Sequence, residues 1–266
     1  MRAAIAALVV LAAGSAASAT ATMDVLSADR ELFVIACGFD YEFNDCDGDI
    51  QSSQATSGFY DNQIIADLND YYGHDISDAD GMIYSNITDK RIELEYFGDA
   101  SVTDTGIFSA DASVNGDTSV QFEVLDDVRV VFEGYAEGYI QSYFTAGASL
   151  REVGGSTIAS FNVQGAGDDD THYVGWLYAG TYEVNADFVA SAAANMPSAG
   201  ELSLSFRVYH KTDFDTNGAV NNADRSAFLA AYNIGSSAAD YNGDGVVNIT
   251  DRRTFLSDWR AAKNTK

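Results

Sequence analysis

Two stretches near the C-terminal end carry oxygen-bearing side chains at regular spacing. Each is twelve residues long and has Asp or Asn at positions 1, 3, 5, 9 and 12. Gly218 and Gly245 stand at position 6, where such a loop must turn sharply. The oxygen-bearing residues are Asp213, Asp215, Asn217, Asn221 and Asp224 in the first stretch, and Asp240, Asn242, Asp244, Asn248 and Asp251 in the second.

This spacing suits a hard cation. Calcium takes six to eight oxygen ligands, and the backbone carbonyls of Ala219 and Val246, at position 7, would add one to each loop. Position 12 is Asp instead of the Glu of ordinary EF-hands. We therefore predict two calcium ions. The alternative is a pair of Asp- and Asn-rich turns that bind no metal.

The two loops are parts of an internal repeat. Residues 213–233 and 240–260 repeat with a period of 27 and share eight of 21 positions. After each loop, apolar residues fall at helical spacing, which predicts one helix per repeat with an apolar face. These residues are Phe228, Leu229 and Tyr232, then Phe255, Leu256 and Trp259. One repeat cannot cover its own apolar face, so the two helices are expected to pack together.

These loops, each followed by a helix, resemble a type I dockerin over residues 210–262. The resemblance implies a small α-helical module that holds two calcium ions and docks onto a cohesin-type partner. It also implies that positions 10 and 11 of each loop contact that partner. Those positions are Asn222 and Ala223 in the first loop, and Ile249 and Thr250 in the second.

The charge of the chain restricts its partners. The 266 residues include 40 acidic and 14 basic side chains, giving a net charge of −26. Residues 20–210 hold 33 acidic and six basic side chains, whereas residues 211–266 hold seven of each. Such an acidic protein repels phosphates, so nucleic acid is not an expected partner. Anionic membrane surfaces are disfavoured for the same reason.

The N-terminus has the features of a secretory signal peptide. A basic residue, Arg2, precedes an apolar run from Ala3 to Ala13, and small residues follow up to Ala19. The run is shorter than the ~20 residues of a membrane-spanning helix, so no membrane insertion is expected. We predict cleavage after Ala19 and a secreted, extracellular or cell-surface location. A buried N-terminal helix is the alternative.

The two cysteines, Cys37 and Cys46, are the pair available for a disulfide. An oxidising extracellular compartment favours pairing, which would close a short loop. Two free thiols are the alternative. Neither cysteine has a histidine nearby in sequence, so neither is predicted to be catalytic.

Residues 20–209 are predicted to form an acidic β-sandwich or jelly-roll-like domain. The 210–262 module follows it, and residues 263–266 form a short C-terminal segment after the module. Apolar residues alternate with polar ones over 92–96, 120–124, 128–132, 182–188 and 202–208. Asn115-Gly116 predicts a tight hairpin, and Asp126-Asp127 and 165–170 predict turns. Asp61–Tyr72 is an alternative short helix.

The β domain offers few groupings of catalytic residues. The three histidines of the chain are His74, His172 and His210, and no H-E-x-x-H, G-x-S-x-G or C-x-x-C occurs. Asp104-Thr105-Gly106 matches half of an aspartic-protease pair, and no second copy exists, so a turn is predicted. Further metal candidates are Asp168, Asp169 and Asp170 before His172, and Asp45, Asp47 and Asp49; solvated turns are the alternative.

Carboxylates and aromatics on the strands leave two interpretations open. Glutamates alternate along them, as in a glycosidase site or a plain solvated face; they are Glu93, Glu95, Glu123, Glu133 and Glu137. Aromatic side chains could stack on sugar rings or belong to the core; they are Tyr135, Tyr139, Tyr143, Trp176 and Tyr178.

The leading hypothesis from the sequence is a non-catalytic β-sandwich with an adhesive, glycan-binding or structural role. The dockerin-like module would anchor it to a cohesin-type partner, with a polysaccharide as a possible ligand. The rival hypothesis is a dockerin-bearing glycoside hydrolase or another polysaccharide-degrading enzyme.

Overall fold

A computed structural model describes residues 22–39, 44–69, 75–103, 109–139, 143–193 and 196–264. The predicted signal peptide, residues 1–19, lies outside the described residues. So do His74 and the Asp104-Thr105-Gly106 segment. The chain divides into two compact units, one within residues 21–219 and one within 220–266. The division falls between Ala219 and Val220, inside the first predicted calcium loop.

The first unit is built from twelve strands among the described residues. They are β1 (Asp24–Phe39), β2 (Asn44–Ser53), β3 (Gly58–Asn69), β4 (Asp75–Ile87), β5 (Arg91–Val102), β6 (Ser109–Val124), β7 (Val128–Gly138), β8 (Tyr143–Glu152), β9 (Thr157–Gln164), β10 (Gly167–Leu177), β11 (Gly180–Ala193) and β12 (Ser198–His210). They form two antiparallel sheets, with orders β2-β1-β6-β11-β8-β9 (sheet A) and β10-β7-β12-β5-β4-β3 (sheet B).

The strand order is that of a jelly roll. Strands β5, β12, β7 and β10 form one four-stranded set, and β6, β11, β8 and β9 form the other, so successive strands from β5 to β8 alternate between the sheets. Strands β1 and β2 extend sheet A beside β6, and β4 and β3 extend sheet B beside β5. The predicted mainly-β sandwich is therefore confirmed.

One apolar core fills the space between the sheets. Alternate residues of β5 and β12 point into it, and Ile92, Leu94 and Phe206 are buried. Phe122 of sheet A packs against Phe206 of sheet B, with ring centroids 5.1 Å apart. The alternation in the sequence thus separates a core-facing side from a solvent-facing side, as the period of two requires.

Two local predictions were wrong. The stretch considered as a helix, Asp61–Tyr72, is strand over its described part, because β3 pairs with β4 from Gly58 onward. Asn115-Gly116 is not a hairpin but the middle of β6, between β1 and β11. At Gly116 a Cβ would come within 2.4 Å of the Tyr96 ring, so glycine serves close packing here, not a turn.

Of the two turn predictions, the one for Asp126-Asp127 is confirmed and the one for 165–170 is confirmed only in its first two residues. Residues Leu125–Asp127 connect β6 to β7, as predicted for Asp126-Asp127. In the 165–170 stretch only Gly165 and Ala166 form the turn, and Asp168, Asp169 and Asp170 already belong to β10. The three aspartates are therefore strand residues, not a solvated turn.

A disulfide joins β1 to β2. Cys37 and Cys46 face each other in the antiparallel register, with Cα atoms 4.2 Å apart. Cys37 is buried and Cys46 is exposed. The disulfide therefore links the edge strand β2 covalently to its neighbour β1.

The second unit contains two α-helices, α1 (Asn222–Asn233) and α2 (Ile249–Asn264), and a short 3₁₀ helix over Ser237–Ala239. Phe228 of α1 stacks on Phe255 of α2 with ring centroids 3.9 Å apart, and both rings are fully buried. Tyr241 meets Phe255 edge-on at 5.4 Å. The predicted packing of the two helices is present, around a core of a few aromatic rings.

Among the described residues, no helix combines the length and the hydropathy that a membrane crossing requires.

Candidate functional site

The second loop, residues 240–251, is closed by its first and last carboxylates. Asp240 Oδ2 accepts a hydrogen bond from the Gly245 amide at 2.8 Å. Asp251 Oδ1 accepts from the amides of Tyr241 at 2.9 Å and Asn242 at 3.1 Å. Gly245 has φ 82°, a left-handed conformation that favours glycine. The glycine at position 6 is thus required by the backbone.

The side chains between these two carboxylates form a series of Asx turns. Asn242 Oδ1 accepts from the Asp244 amide at 3.1 Å, and Asp244 Oδ1 accepts from the Val246 amide at 2.9 Å. The Val246 carbonyl accepts from Asn248 Nδ2 at 3.0 Å, while its side chain is exposed. Each Asx turn curves the backbone, so that the loop bends around its side-chain oxygen atoms.

One oxygen of this loop has no partner. Within the described residues, Asp240 Oδ1 is buried and accepts no hydrogen bond. A buried carboxylate oxygen without a partner is costly, because it has lost water and gained nothing in return. A cation bound by the loop would remove that cost. The donor set therefore fits calcium, which prefers oxygen ligands.

The first loop, residues 213–224, has the same hydrogen-bond pattern. Asp213 Oδ2 accepts from the Gly218 amide at 2.8 Å, and Asn217 Oδ1 accepts from the Ala219 amide at 2.9 Å. Gly218 has φ 85°. The two loops are identical at five of twelve positions, and their common hydrogen-bond pattern is set by the positions of the Asp, Asn and Gly residues.

Three carboxylates converge in the first loop. Asp213, Asp215 and Asp224 each contribute an oxygen to a group whose atoms all lie within 4.8 Å of one another. Asp213 and Asp224 are buried, whereas Asp215 is exposed. Like charges at this distance repel, and repulsion is strongest where water is excluded. A divalent cation among them would turn that repulsion into attraction.

The residues at loop positions 9 and 12 also start the helices. Asn221 caps α1 by accepting from the Ala223 amide at 2.7 Å, and Asp224 accepts from the Asn221 amide at 2.7 Å, which together form a capping box. Asn248 and Asp251 make the same pair of contacts at α2. The side chains predicted to be metal ligands at positions 9 and 12 therefore also initiate the two helices.

The four residues expected to contact a partner lie in the first turns of the two helices. Asn222, Ala223, Ile249 and Thr250 are all exposed. Asn222 Oδ1 accepts from Lys263 Nζ at 3.0 Å, so this part of α1 is linked to the end of α2. The helix starts are available on the surface of the second unit.

Sheet B carries a groove of about 640 Å³ on its solvent face. Its middle strand β12 contributes Ser203 and Ser205, which have small side chains. Strands β5 and β7 flank β12, and Glu93 and Glu133 both lie opposite Ser205 in the register. The groove is lined in addition by Tyr84, Glu95, Tyr135, Asp170, His172 and Arg207. Sequence analysis missed Ser203, Ser205, Tyr84 and Arg207, because only the strand pairing brings them to one place.

Two carboxylates of the groove, Glu93 and Glu133, have side-chain partners. Glu133 pairs with His172 at 2.8 Å, and Glu93 pairs with Arg91 at 3.1 Å. Asn86 Nδ2 donates to Glu93 at 3.3 Å. Glu123, the remaining candidate from the sequence, lies on β6 in sheet A, away from this set. Four of the five glutamates therefore lie on the sheet B strands, and two of them face each other across one strand.

The candidate metal ligands in the β unit are dispersed. Asp169 Oδ2 accepts from the Asn162 amide at 2.8 Å, and Asp170 lines the groove. Asp47 and Asp49 are exposed on β2, where Asp49 accepts from Gln51 Nε2 at 2.7 Å. The side chain of Asp45 lies outside the described residues. Within the part of the chain that the structure describes, the first loop holds the only converging group of three acidic side chains.

The aromatic candidates for sugar stacking also lie in different places on the first unit. Tyr135 lines the groove and donates its hydroxyl to Glu137. Tyr139, Tyr143 and Tyr178 are exposed but lie outside the groove. Trp176 is half-buried and stacks on the guanidinium of Arg129, 4.7 Å from the ring centroid. Trp176 thus serves packing, and Tyr135 is the one candidate that the structure brings into the groove.

Arg129 itself is enclosed by two rings. Its guanidinium lies 4.7 Å from the centroids of both Trp176 and Phe214. Burial lowers the pKa of Arg129 to about 10. Phe214 is the second residue of the first loop, so this stacking fixes the start of that loop to the sheet within the first unit.

Comparisons with known proteins give no family. No family model matches the chain, and no curated protein matches it. Among solved structures, similarity is found to TmCBM61 in complex with beta-1,4-galactotriose, at 11% identity and TM-score 0.22, covering 40% of this chain and 72% of that one.

Two other solved structures are similar at the same level. The enzymatically active domain of bacteriophage CBA120 tailspike protein 4 has 13% identity and TM-score 0.23, over 57% of this chain and 19% of that one. A structure of infectious bursal disease virus, Gx strain, has 10% identity and TM-score 0.22, over 74% and 59%. The chain spans less than two thirds of these latter two. At this level of similarity the likenesses carry no functional argument.

Proposed function

We propose that this protein is an exported, calcium-binding protein whose dockerin-like tail anchors a non-catalytic β-sandwich to a cohesin-type partner. One observation carries the calcium part: Asp240 Oδ1 is a buried carboxylate oxygen without a hydrogen-bond partner among the described residues, at position 1 of a loop built to surround a cation. The repetition of that loop in the same order before a second helix supports two sites.

Calcium would act on the tail in two ways. Six of the seven acidic side chains in residues 211–266 are loop ligands, so two Ca²⁺ would change the charge of this segment from about zero to about +4. The ions would also offset the repulsion among Asp213, Asp215 and Asp224. Because the same loops start both helices, calcium binding and folding of the tail are proposed to be one event.

The anchoring part rests on the resemblance to type I dockerins and on exposure. Asn222, Ala223, Ile249 and Thr250 stand at the positions that such modules use for docking. Ile249 is 47% exposed although it is a large apolar residue. A partner docked on the helix starts would cover this side chain and remove its apolar surface from water.

The groove of sheet B supports a glycan-binding role for the sandwich. Tyr84 and Tyr135 supply aromatic surface, while the serines and carboxylates supply hydrogen-bonding groups for sugar hydroxyls. A volume of about 640 Å³ is typical of ligand sites. A neutral polysaccharide suits this groove better than an anionic one, because Glu93, Glu95, Glu133 and Asp170 outnumber the cationic side chains.

The second candidate function is a glycoside hydrolase. Glu93 and Glu133 lie on either side of β12, and an inverting glycosidase requires two carboxylates about 6.5–9.5 Å apart. Glu93 is paired with Arg91, and Glu133 is paired with His172. These pairings favour a ligand-binding role for the two carboxylates over a role in proton transfer. Release of reducing ends from a polysaccharide, abolished by Glu133→Gln, would select the hydrolase and reject the non-catalytic proposal.

The anchoring proposal is tested with the full secreted chain immobilised in calcium or in chelator. Purified cohesin modules are expected to bind only in calcium, and Asp240→Ala combined with Asp213→Ala is expected to abolish binding. Asp126→Ala, at a turn of the sandwich, is the matched control and should bind normally. Calorimetry on the same samples counts the calcium ions. Two ions without cohesin binding would reject the anchoring proposal and keep the metal sites.

A further inference from the structure

The interior of the sandwich contains a cationic side chain that has no counter-charge among the described residues. Arg30, on β1, is 2% exposed and points between the two sheets. Its Nη1 donates to Ser53 Oγ at 3.4 Å. Within the described residues its Nε and Nη2 atoms are buried and donate to nothing. No carboxylate of the described part forms an ion pair with it. A buried guanidinium without an anionic partner is among the most costly features that a core can have.

Two further polar groups facing the core are also without partners. Tyr60 and Ser85 lie directly opposite each other on β3 and β4 of sheet B. The hydroxyls of both are buried and form no hydrogen bond within the described residues. Ser85 is fully buried. Each hydroxyl can donate a proton. The core therefore contains four unused donor atoms on three side chains.

Strand β1 of sheet A packs against β3 and β4 of sheet B, so Arg30 and these two hydroxyls lie on strands that meet across the gap between the sheets. The phenols of Tyr96 and Tyr60 both act electrostatically on Arg30, whose pKa is lowered by burial. Tyr96 is already engaged, because its hydroxyl is hydrogen-bonded to Thr118, the residue opposite Arg30 on β6. Tyr60 is not engaged within the described residues, and Ser85 stands beside it. The free donors of sheet A and sheet B thus face the same region.

We propose that a small monovalent anion binds between the sheets, held by Arg30 Nε and Nη2 and by the hydroxyls of Tyr60 and Ser85. One anion can accept hydrogen bonds from all four donors and neutralise the guanidinium at the same time. The two Arg30 donors lie on one edge of the planar group, a geometry that suits a halide or a small oxyanion. All four donor atoms are buried, which favours a small ion over a large one. This site is independent of the calcium loops and of the groove.

The test compares anions at constant ionic strength. The full chain is unfolded thermally in saturating calcium, while sodium chloride replaces sodium isethionate, whose anion is too large to enter the core. Chloride is expected to raise the Tm of the sandwich by about 5 °C, because a ligand that binds only the folded state stabilises it. Nitrate in a parallel series shows whether a small oxyanion is accepted as well as a halide.

Variants assign the effect to the site. Arg30→Met keeps most of the side-chain volume without the charge, and its Tm is expected to be independent of chloride. Arg91→Met removes an exposed arginine that pairs with Glu93, and its chloride response should equal that of the parent. Ser85→Ala removes one donor and is expected to raise the chloride midpoint at least about tenfold. Ser85→Ala also serves if Arg30→Met does not fold.

A direct measurement completes the test. Crystals grown in bromide are expected to show an anomalous scattering peak within hydrogen-bond distance of Arg30 Nε and Nη2. Equal Tm values in chloride and isethionate would overturn the proposal. So would an unchanged chloride response in Ser85→Ala, or ordered water in place of bromide at these donors.

Discussion

The sandwich and the helical tail differ in how their folded structures are stabilised. In the sandwich, two large sheets enclose a continuous apolar core, and most charged side chains stay on the outside. In the tail, the buried apolar side chains are few, with Phe228, Tyr241, Phe255 and Trp259 as the aromatic members. A small core supplies little stability, so short domains depend on metals or disulfides. The difference is that the small tail buries Asp224 and Asp251 completely, whereas Glu183, paired with Arg151, is the buried carboxylate among the described strands of the sandwich.

Removing calcium should produce the largest difference in stability between the two units. If no difference appeared, the contrast between the sandwich and the tail would be wrong. With chelator, we expect amide protection to disappear throughout α1 and α2 and to persist in β5, β6, β7 and β12, because the proposed ions would offset the buried carboxylates of the loops that start the two helices. Hydrogen exchange with mass spectrometry measures both units in one experiment. Equal loss in both, or protection kept in the helices, would contradict the proposed calcium dependence.

Truncating the central ring of the tail should come next. Phe228→Ala is expected to cost about 3–5 kcal/mol of tail stability, because Phe228 is fully buried and stacks on Phe255. The loss should appear as faster exchange in both helices and weaker calcium binding. Phe59→Ala is the control, since Phe59 is 65% exposed and should change stability by less than about 0.5 kcal/mol.

A single methyl group should test the packing of the sandwich. Gly116→Ala would place a Cβ within 2.4 Å of the Tyr96 ring, and we expect a loss of about 1–3 kcal/mol in denaturant unfolding of the first unit. Gly180→Ala is matched to it, because the nearest atom to its Cβ lies 3.7 Å away. If both variants were equally stable, the close approach of Tyr96 would not be a constraint on β6.

The smallest effect concerns an ion pair of sheet A between buried Glu183 and half-exposed Arg151. Burial alone would raise the pKa of Glu183, but hydrogen bonds from Arg151, Ser119 and Gln121 lower it to about 2. Since the folded pKa is below the unfolded value, the contribution is present at neutral pH and is lost as the pH falls through about 4.5 toward 2.

Glu183→Gln measures that contribution. We expect it to cost about 1–2 kcal/mol at pH 7 and much less at pH 2.5, after allowance for the half-exposed Arg151. Chemical unfolding at the two pH values gives the difference. Glu123→Gln, on the same sheet, should show no such pH dependence if the Arg151 cluster is the cause.

The two Asp- and Asn-rich loops, which are predicted to bind calcium, show how much can be derived from a sequence alone. Their spacing of Asp, Asn and Gly specifies the turns directly, because each side chain bonds to an amide one or two residues away, or closes the loop over a short distance. The alternation of β5, β6, β7, β11 and β12 was equally readable, since a period of two separates the core face from the solvent face.

Contacts between distant residues were decided only by the tertiary structure. Asn115-Gly116 has the local preference of a hairpin, but pairing on both sides with β1 and β11 overrides it, and the Tyr96 ring requires the glycine. The groove of sheet B and the buried Arg30 likewise depend on which strands become neighbours. Side chains on different strands meet according to register and sheet order, and these are properties of the whole chain that local preferences do not specify.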